Sequence, residues 1–156
     1  MSWDASTHQP GTSPEVEASV AAVRFRRDQK SSGVSRLGRL LPGGRLRIEY
    51  DLSRLLPDET ATATDITCHV RFLPSGEVQQ GSLLAHQTRM PTSSRSASGP
   101  AVFEVGIPLE ATAVEVWFER RDADGTSDWD SKYGNNFRFP ASNSCQWSLG
   151  SAQRRP

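Results

Sequence analysis

The chain is short of most residues and patterns that announce a chemistry. It has two cysteines, three histidines, no excess of either charge sign and no long apolar run. Each shortage excludes something. Cys68 and Cys145 lie far apart and in no metal-ligand spacing, so Cys68 reads as a buried thiol, with a Cys68–Cys145 disulfide as the alternative. Lysine plus arginine and aspartate plus glutamate both total 18, which leaves a net charge of zero. Nothing in that balance recruits nucleic acid or an anionic membrane. No window approaches the ~18 apolar residues of a membrane-spanning helix. Met1 to Pro14 carries Asp4 and no apolar core segment, so it does not read as a secretion signal, and a cytoplasmic location is expected.

Catalytic signatures are missing too. His8 falls in a polar lead, His69 on the outer face of an expected strand and His86 beside a loop. There is no Gly-x-Ser-x-Gly elbow, no phosphate-cradling Gly-Lys-Ser/Thr loop and no dinucleotide fingerprint. The residues therefore assign no catalytic group and imply no cofactor.

What is present is a β pattern. At 156 residues the chain fits one domain, and 12 glycines with 10 prolines suit a loop-rich all-β fold. Residues 1–14, polar and holding Pro10 and Pro14, are expected to be a disordered lead; 15–150 form the domain and 151–156 a basic tail. Val16, Ala18 and Val20, then Val23 and Phe25, suggest a strand with a slip near Ala21-Ala22. Lys30 to Gly44 reads as a long connection with a short irregular edge strand. Leu46, Ile48, Tyr50 and Leu52 alternate with Arg45, Arg47, Glu49 and Asp51, and Ile66, Cys68, Val70 and Phe72 alternate with Thr67, His69 and Arg71. After a Pro74-Ser75-Gly76 turn, Glu77 to Ala85 is a weaker strand, and 87–100 is a serine-rich loop. Further strands follow at Val102 to Ile107, Val114 to Phe118, Asn136 to Phe139 and Gln146 to Leu149. About eight short strands without a helical period predict an antiparallel, immunoglobulin-like β-sandwich, or else a small closed β-barrel.

Two clusters could carry a ligand. Asp122, Asp124, Asp128 and Asp130 lie close enough in sequence to test for calcium. Counted from Asp122, however, Gly125 and Tyr133 occupy the wrong places for an EF-hand, and an Asp-Gly hairpin turn accounts for the segment. The second cluster is aromatic. Trp117 falls on the wet face of its strand if Val116 and Phe118 point inward, and Trp129, Tyr133, Phe137 and Phe139 follow. Rings stack on the CH faces of sugars, and Asp130, Asn135 and Asn136 could fix hydroxyls. The arginines at 24, 26, 27, 36 and 39, with Lys30, read as the wet face of a strand.

Trp129-Asp130 and Asn136-Phe137, preceded by Phe103–Leu109 and Val114–Phe118, resemble the C-terminal part of carbohydrate-binding module family 21. These starch- and glycogen-binding modules also occur in glycogen-targeting subunits of protein phosphatase 1. The family's Trp-Asp-Asn-Asn segment is matched at Trp129-Asp130, while Ser131-Lys132 depart from it. Its later Asn-Tyr pair appears as Asn136-Phe137, without the phenolic hydroxyl. The resemblance implies an immunoglobulin-like sandwich that binds an α-glucan; the aromatic cluster itself supplies the expected contacts, Trp117, Trp129, Asp130, Tyr133, Asn135 and Asn136. The run Asp130-Ser131-Lys132-Tyr133-Gly134-Asn135-Asn136, with Tyr50-Asp51 and Arg54-Leu55 upstream, also resembles a small bacterial domain family of unknown function. That likeness carries the fold and not a ligand. The expected partner is thus a polysaccharide, bound without catalysis. The alternatives are a small molecule held by a cyclase or carrier, in a cavity lined by Tyr50, Phe72 or Trp147, and a protein docked on a sheet edge.

Overall fold

The computed structural model describes residues 20–27, 33–56, 63–84 and 99–142. The lead, His8, His86, Cys145, Trp147, most of the serine-rich loop, the expected strand at 146–149 and the tail lie outside the described residues. The strands are β1 (Val20–Phe25), β2 (Val34–Leu37), β3 (Arg45–Tyr50), β4 (Ala63–Leu73), β5 (Val78–Ser82), β6 (Ala101–Gly106), β7 (Ala113–Asp122), β8 (Ser127–Asp130) and β9 (Phe137–Pro140). A 3-10 turn, Leu52–Arg54, follows β3, and the Asp51 carboxylate caps it by accepting from the Ser53 N–H at 3.0 Å. Among the described residues no helix is long and apolar enough to cross a membrane.

Two sheets form a sandwich, not a closed barrel. One runs β2-β1-β3-β6; the other runs β5-β4-β7-β8, with β9 also paired to β7. The alternation of side chains explains why. Leu46, Ile48 and Tyr50 from the first sheet meet Ile66, Cys68, Val70, Phe72, Val114, Val116 and Phe118 from the second in one buried cluster. Their neighbours Arg45, Arg47 and Glu49 point outward and pair across strands, Arg45 and Arg47 with Glu104 and Arg24 with Glu49. Cys68 is a buried free thiol whose apolar surroundings push its pKa up.

The structure differs from the sequence pattern in three places. β1 has no slip within 20–25: Ala21, Val23 and Phe25 are buried in strict alternation, and Val20 is 54% exposed. Its parity follows the partner strand, because Ala21, Val23 and Phe25 register with Leu46, Ile48 and Tyr50. That pairing is parallel, whereas the other described strand pairs are antiparallel. The third difference is β8, a strand built from residues that read as an acidic turn.

Four aromatic rings of the core meet beside β8. Phe25 meets Phe118 and Phe137 edge-on, with centroids 4.8 and 4.9 Å apart, and Tyr50 stacks on Phe118 at 3.8 Å. Such pairs contribute about 0.5–1.5 kcal/mol each beyond burial. The Tyr50 hydroxyl is fully buried and donates to Asp130 Oδ2 at 3.0 Å. Arg54 grips the same carboxylate with two donors, Nε to Oδ2 at 2.6 Å and Nη2 to Oδ1 at 3.2 Å. Its guanidinium also lies over the Phe25 and Phe137 rings, at 5.9 and 5.8 Å. Burial, then the Asp130 charge, raises the Tyr50 pKa well above the usual phenol range. Burial opposes the charge on Arg54, but Asp130 more than offsets it and the Arg54 pKa is raised.

This network makes Asp130 a joint between the sheets. Replacing Asp130 by alanine strands a half-buried guanidinium and a buried hydroxyl, and should cost about 3 kcal/mol of folding stability. Tyr50→Phe keeps the ion pair and should cost about 1 kcal/mol. Urea denaturation monitored by tryptophan fluorescence reads both; an Asp130→Ala protein as stable as wild type would show that the joint carries no weight.

Candidate functional site

The outer edge of β7 is shared by two short strands. Phe118 registers with Asp130 of β8, and Val116 registers with Phe137 of β9. Only Trp117 separates Val116 from Phe118, yet residues 131–136 separate Asp130 from Phe137. The surplus chain must leave the sheet at the level of Trp117. It does so in a left-handed turn: Lys132, Tyr133, Gly134 and Asn136 have φ of 49, 58, 85 and 55°. Asn136 N–H closes the turn onto the Ser131 carbonyl at 2.7 Å, and Gly134 N–H donates to Ser131 Oγ at 3.2 Å. Glycine and asparagine accept such angles readily; lysine and tyrosine do so at a cost of about 1 kcal/mol each. The turn holds the Tyr133 ring wholly in solvent, at 104% relative exposure.

Beside that turn lies the outer face of the second sheet. Trp117 is half-buried there. The His69 ring lies parallel to it at 5.2 Å, and the Arg71 guanidinium sits 5.7 Å from its centroid. Arg71 is itself fixed by Glu115, with Nε to Oε2 at 2.9 Å. His69 Nε2 stands 3.5 Å from Glu119 Oε2, close enough to feel the charge and too long for a strong hydrogen bond. Glu119 spends its other oxygen on Ser127 and Arg121, both at 2.9 Å. Trp129 tilts against His69 at 6.1 Å and remains 53% exposed.

The candidate residues therefore separate into two groups. Trp129, Tyr133 and Asn135 are exposed at one edge, with Asn136 half-buried in the turn that carries them. Trp117 is on the outer face as expected, but its ring already packs against the His69 ring and the Arg71 guanidinium. Asp130 points the other way, into the joint with Tyr50 and Arg54, so both its oxygens are engaged. The carboxylates weighed as calcium ligands have partners within the protein. Asp122 accepts from Arg120 at 2.9 and 2.6 Å, Asp124 caps the Thr126 N–H at 2.9 Å, and Asp130 is held by Arg54. Among the described residues no three acidic, histidine or cysteine side chains converge on a metal-sized space. Asp122 to Gly125 form the expected hairpin turn between β7 and β8.

One feature escaped the sequence pattern. A cleft of about 610 Å³ opens at the end of the sandwich, lined by Arg24, Phe25, Arg26, Arg27, Asp51 and Ser53 among others. A second hollow of about 340 Å³ shares Arg26, Arg27 and Ser53 with it and adds Arg54, Trp129 and Asp130. The arginines that read as a strand's wet face thus continue past the end of β1 at Phe25 and wall a concavity. Only the run of arginines hinted at it; the concavity needs the 3-10 turn and β8, which are remote in sequence.

A family model described as a family of unknown function, DUF6209, matches residues 8–142. The chain belongs to that family. No curated protein and no solved structure matches it. Membership agrees with the likeness to an uncharacterised family. The likeness to family 21 modules rests on Trp129-Asp130 and Asn136-Phe137, two of which now have structural duties: Asp130 in the joint and Phe137 in the core.

Two outcomes are expected of this surface. Tyr133→Gly removes the ring and relieves the left-handed backbone, so stability should rise by about 1 kcal/mol; an unchanged or lower urea midpoint would show that the turn stores no strain. His69 is the pH-sensitive member. Burial, only partly offset by Glu119, lowers its pKa below the ordinary 6.5. The unfolded chain then takes up this proton first as pH falls. The contribution is complete above about pH 6.5 and declines as pH drops toward the folded value. His69→Gln should flatten that stretch of the stability–pH curve, measured by urea denaturation at several pH values.

Proposed function

We propose that the protein is a binding module that takes a carbohydrate on the exposed rings of Trp129 and Tyr133. The observation that carries this reading is the left-handed turn, which spends backbone strain to hold a tyrosine in water beside a half-exposed tryptophan. Strain of this kind persists where the fold over-determines it, and it gathers at ligand clamps. Flat rings favour flat apolar faces, and a sugar ring presents one with hydroxyls around its rim. Asn135 and the half-exposed Asp128 supply acceptors and donors nearby for those hydroxyls. The α-glucan preference draws less support than binding itself, because Asp130 and Phe137, which carry that likeness, serve the fold. Nor does a carrier cavity between the sheets gain support: Tyr50 and Phe72 are buried within the packed core, and the clefts lie at the surface.

Affinity electrophoresis through gels containing soluble polysaccharides tests the reading. The wild type should be retarded, and Trp129→Ala or Tyr133→Ala should each weaken binding about fivefold, as the loss of one stacked ring at a wet site implies. Both variants should keep the wild-type melting temperature. A wild type that migrates freely through every neutral and acidic polysaccharide gel would sink the proposal.

A further inference from the structure

We infer that the carbohydrate is an acidic one, and that Arg26 and Arg27 receive its anionic group in the cleft beside Trp129. The inference rests on the carbohydrate reading above and names the ligand class for the same surface. Its first support is geometric. The larger cleft and the smaller hollow share Arg26, Arg27 and Ser53, and Trp129 forms a wall of the smaller one. Arg26, Arg27 and Trp129 therefore border adjoining hollows at one edge, with the Trp129 ring on the outer face beside His69, and both hollows fall within the ~300–1,000 Å³ typical of ligand sites.

The second support is the local distribution of charge. The described acids that line the two hollows, Glu49, Asp51 and Asp130, each have a partner within the protein. Glu49 is held by Arg24 at 2.6 Å and by Arg47 at 3.2 Å, and Asp130 is held by Arg54. Asp51 turns its carboxylate to the Ser53 N–H and hydroxyl, at 3.0 and 2.6 Å. Those hydrogen bonds outweigh the burial that opposes its charge and lower its pKa. Arg26 and Arg27, both exposed, make no ion pair and donate no side-chain hydrogen bond among the described residues; Arg27 only feels the Asp51 charge at longer range. The described lining of the two hollows thus sets four arginines, Arg24, Arg26, Arg27 and Arg54, against three carboxylates, Glu49, Asp51 and Asp130, a surplus of one positive charge.

The third support is pre-organisation. Mobile surface arginines are commonplace, but these two project from a fixed main chain. Arg26 N–H donates to the Gly33 carbonyl at 2.6 Å, and the Arg26 carbonyl accepts from Arg54 Nη1 at 2.8 Å. Arg27 N–H reaches Asp51 Oδ2 at 3.4 Å. Gly33 is required there, since a Cβ would meet the Arg26 carbonyl oxygen at 2.1 Å. The residue type fits as well. Lys30 and Lys132 are the only lysines, so the chain meets anions with guanidinium forks, which match carboxylate and sulfate in two-point geometry. A uronic acid or a sulfated sugar offers both halves: a ring face for Trp129 and an anion for the arginines.

Isothermal titration with three oligosaccharides separates the possibilities: oligogalacturonate, a heparin-derived sulfated oligosaccharide and neutral maltohexaose. Wild type should bind one of the acidic probes about tenfold more tightly than maltohexaose, with the advantage shrinking at high salt. Whichever acidic probe binds better identifies carboxylate or sulfate as the recognised group. The double variant R26Q/R27Q should lose the acidic preference while keeping its melting temperature, and Trp129→Ala should weaken every probe. Equal or tighter binding of maltohexaose, or an acidic preference that survives R26Q/R27Q, overturns the inference and leaves the carbohydrate reading standing. Failure of all three probes to bind removes both.

Discussion

The carboxylate of Asp130 is the polar joint on which this sandwich turns. In the buried cluster the two sheets meet through apolar side chains, whose attraction is non-directional. A carboxylate gripped by Tyr50 from the first sheet and Arg54 from its 3-10 turn fixes the relation at one end. The neutral partner and the cation do different work. Arg54 neutralises the charge, which makes burial affordable, while the Tyr50 hydroxyl sets direction and carries its ring onto Phe118. Arg54 then reaches on to the Arg26 carbonyl. A single continuous run of contacts therefore leads from the aromatic core to the wall of the cleft, and Trp129, next along β8, is turned to the opposite face by the same pairing.

Much of the layer structure was legible in the chain. β3, β4 and the middle of β7 alternate apolar and polar residues cleanly, and each falls where that alternation puts it. The Asp122–Gly125 turn was equally plain from its residues. What the pattern missed was non-local. β8 has the sequence Ser-Asp-Trp-Asp, whose acids suggest a loop until Arg54 and Tyr50, far upstream, give one of them a buried role. In β1 the larger Val20 is exposed and the smaller Ala21 buried, a choice made by register with β3 and invisible in hydrophobicity.

The candidate site was read with similar unevenness. Trp129 and Tyr133 stand out in the sequence as large rings among polar residues, and both are exposed. Trp117 was placed on the correct face, but its stacking partners come from β4, so its occupied ring could not be foreseen. Asp130 looked like a hydroxyl acceptor and is instead the joint. The arginine-lined cleft had no signature beyond its arginines, since β1, the 3-10 turn and β8 must come together before a concavity exists.

The divided edge of β7 has a consequence of its own. β8 and β9 each take their alignment directly from β7, so neither depends on the length of the segment between them. Residues could be added or exchanged there while the strands on either side stay in place, much as a hypervariable loop is carried by its framework. The scaffold thus offers a site where new recognition can be grafted, by evolution or by design, with little disturbance to the layers beneath.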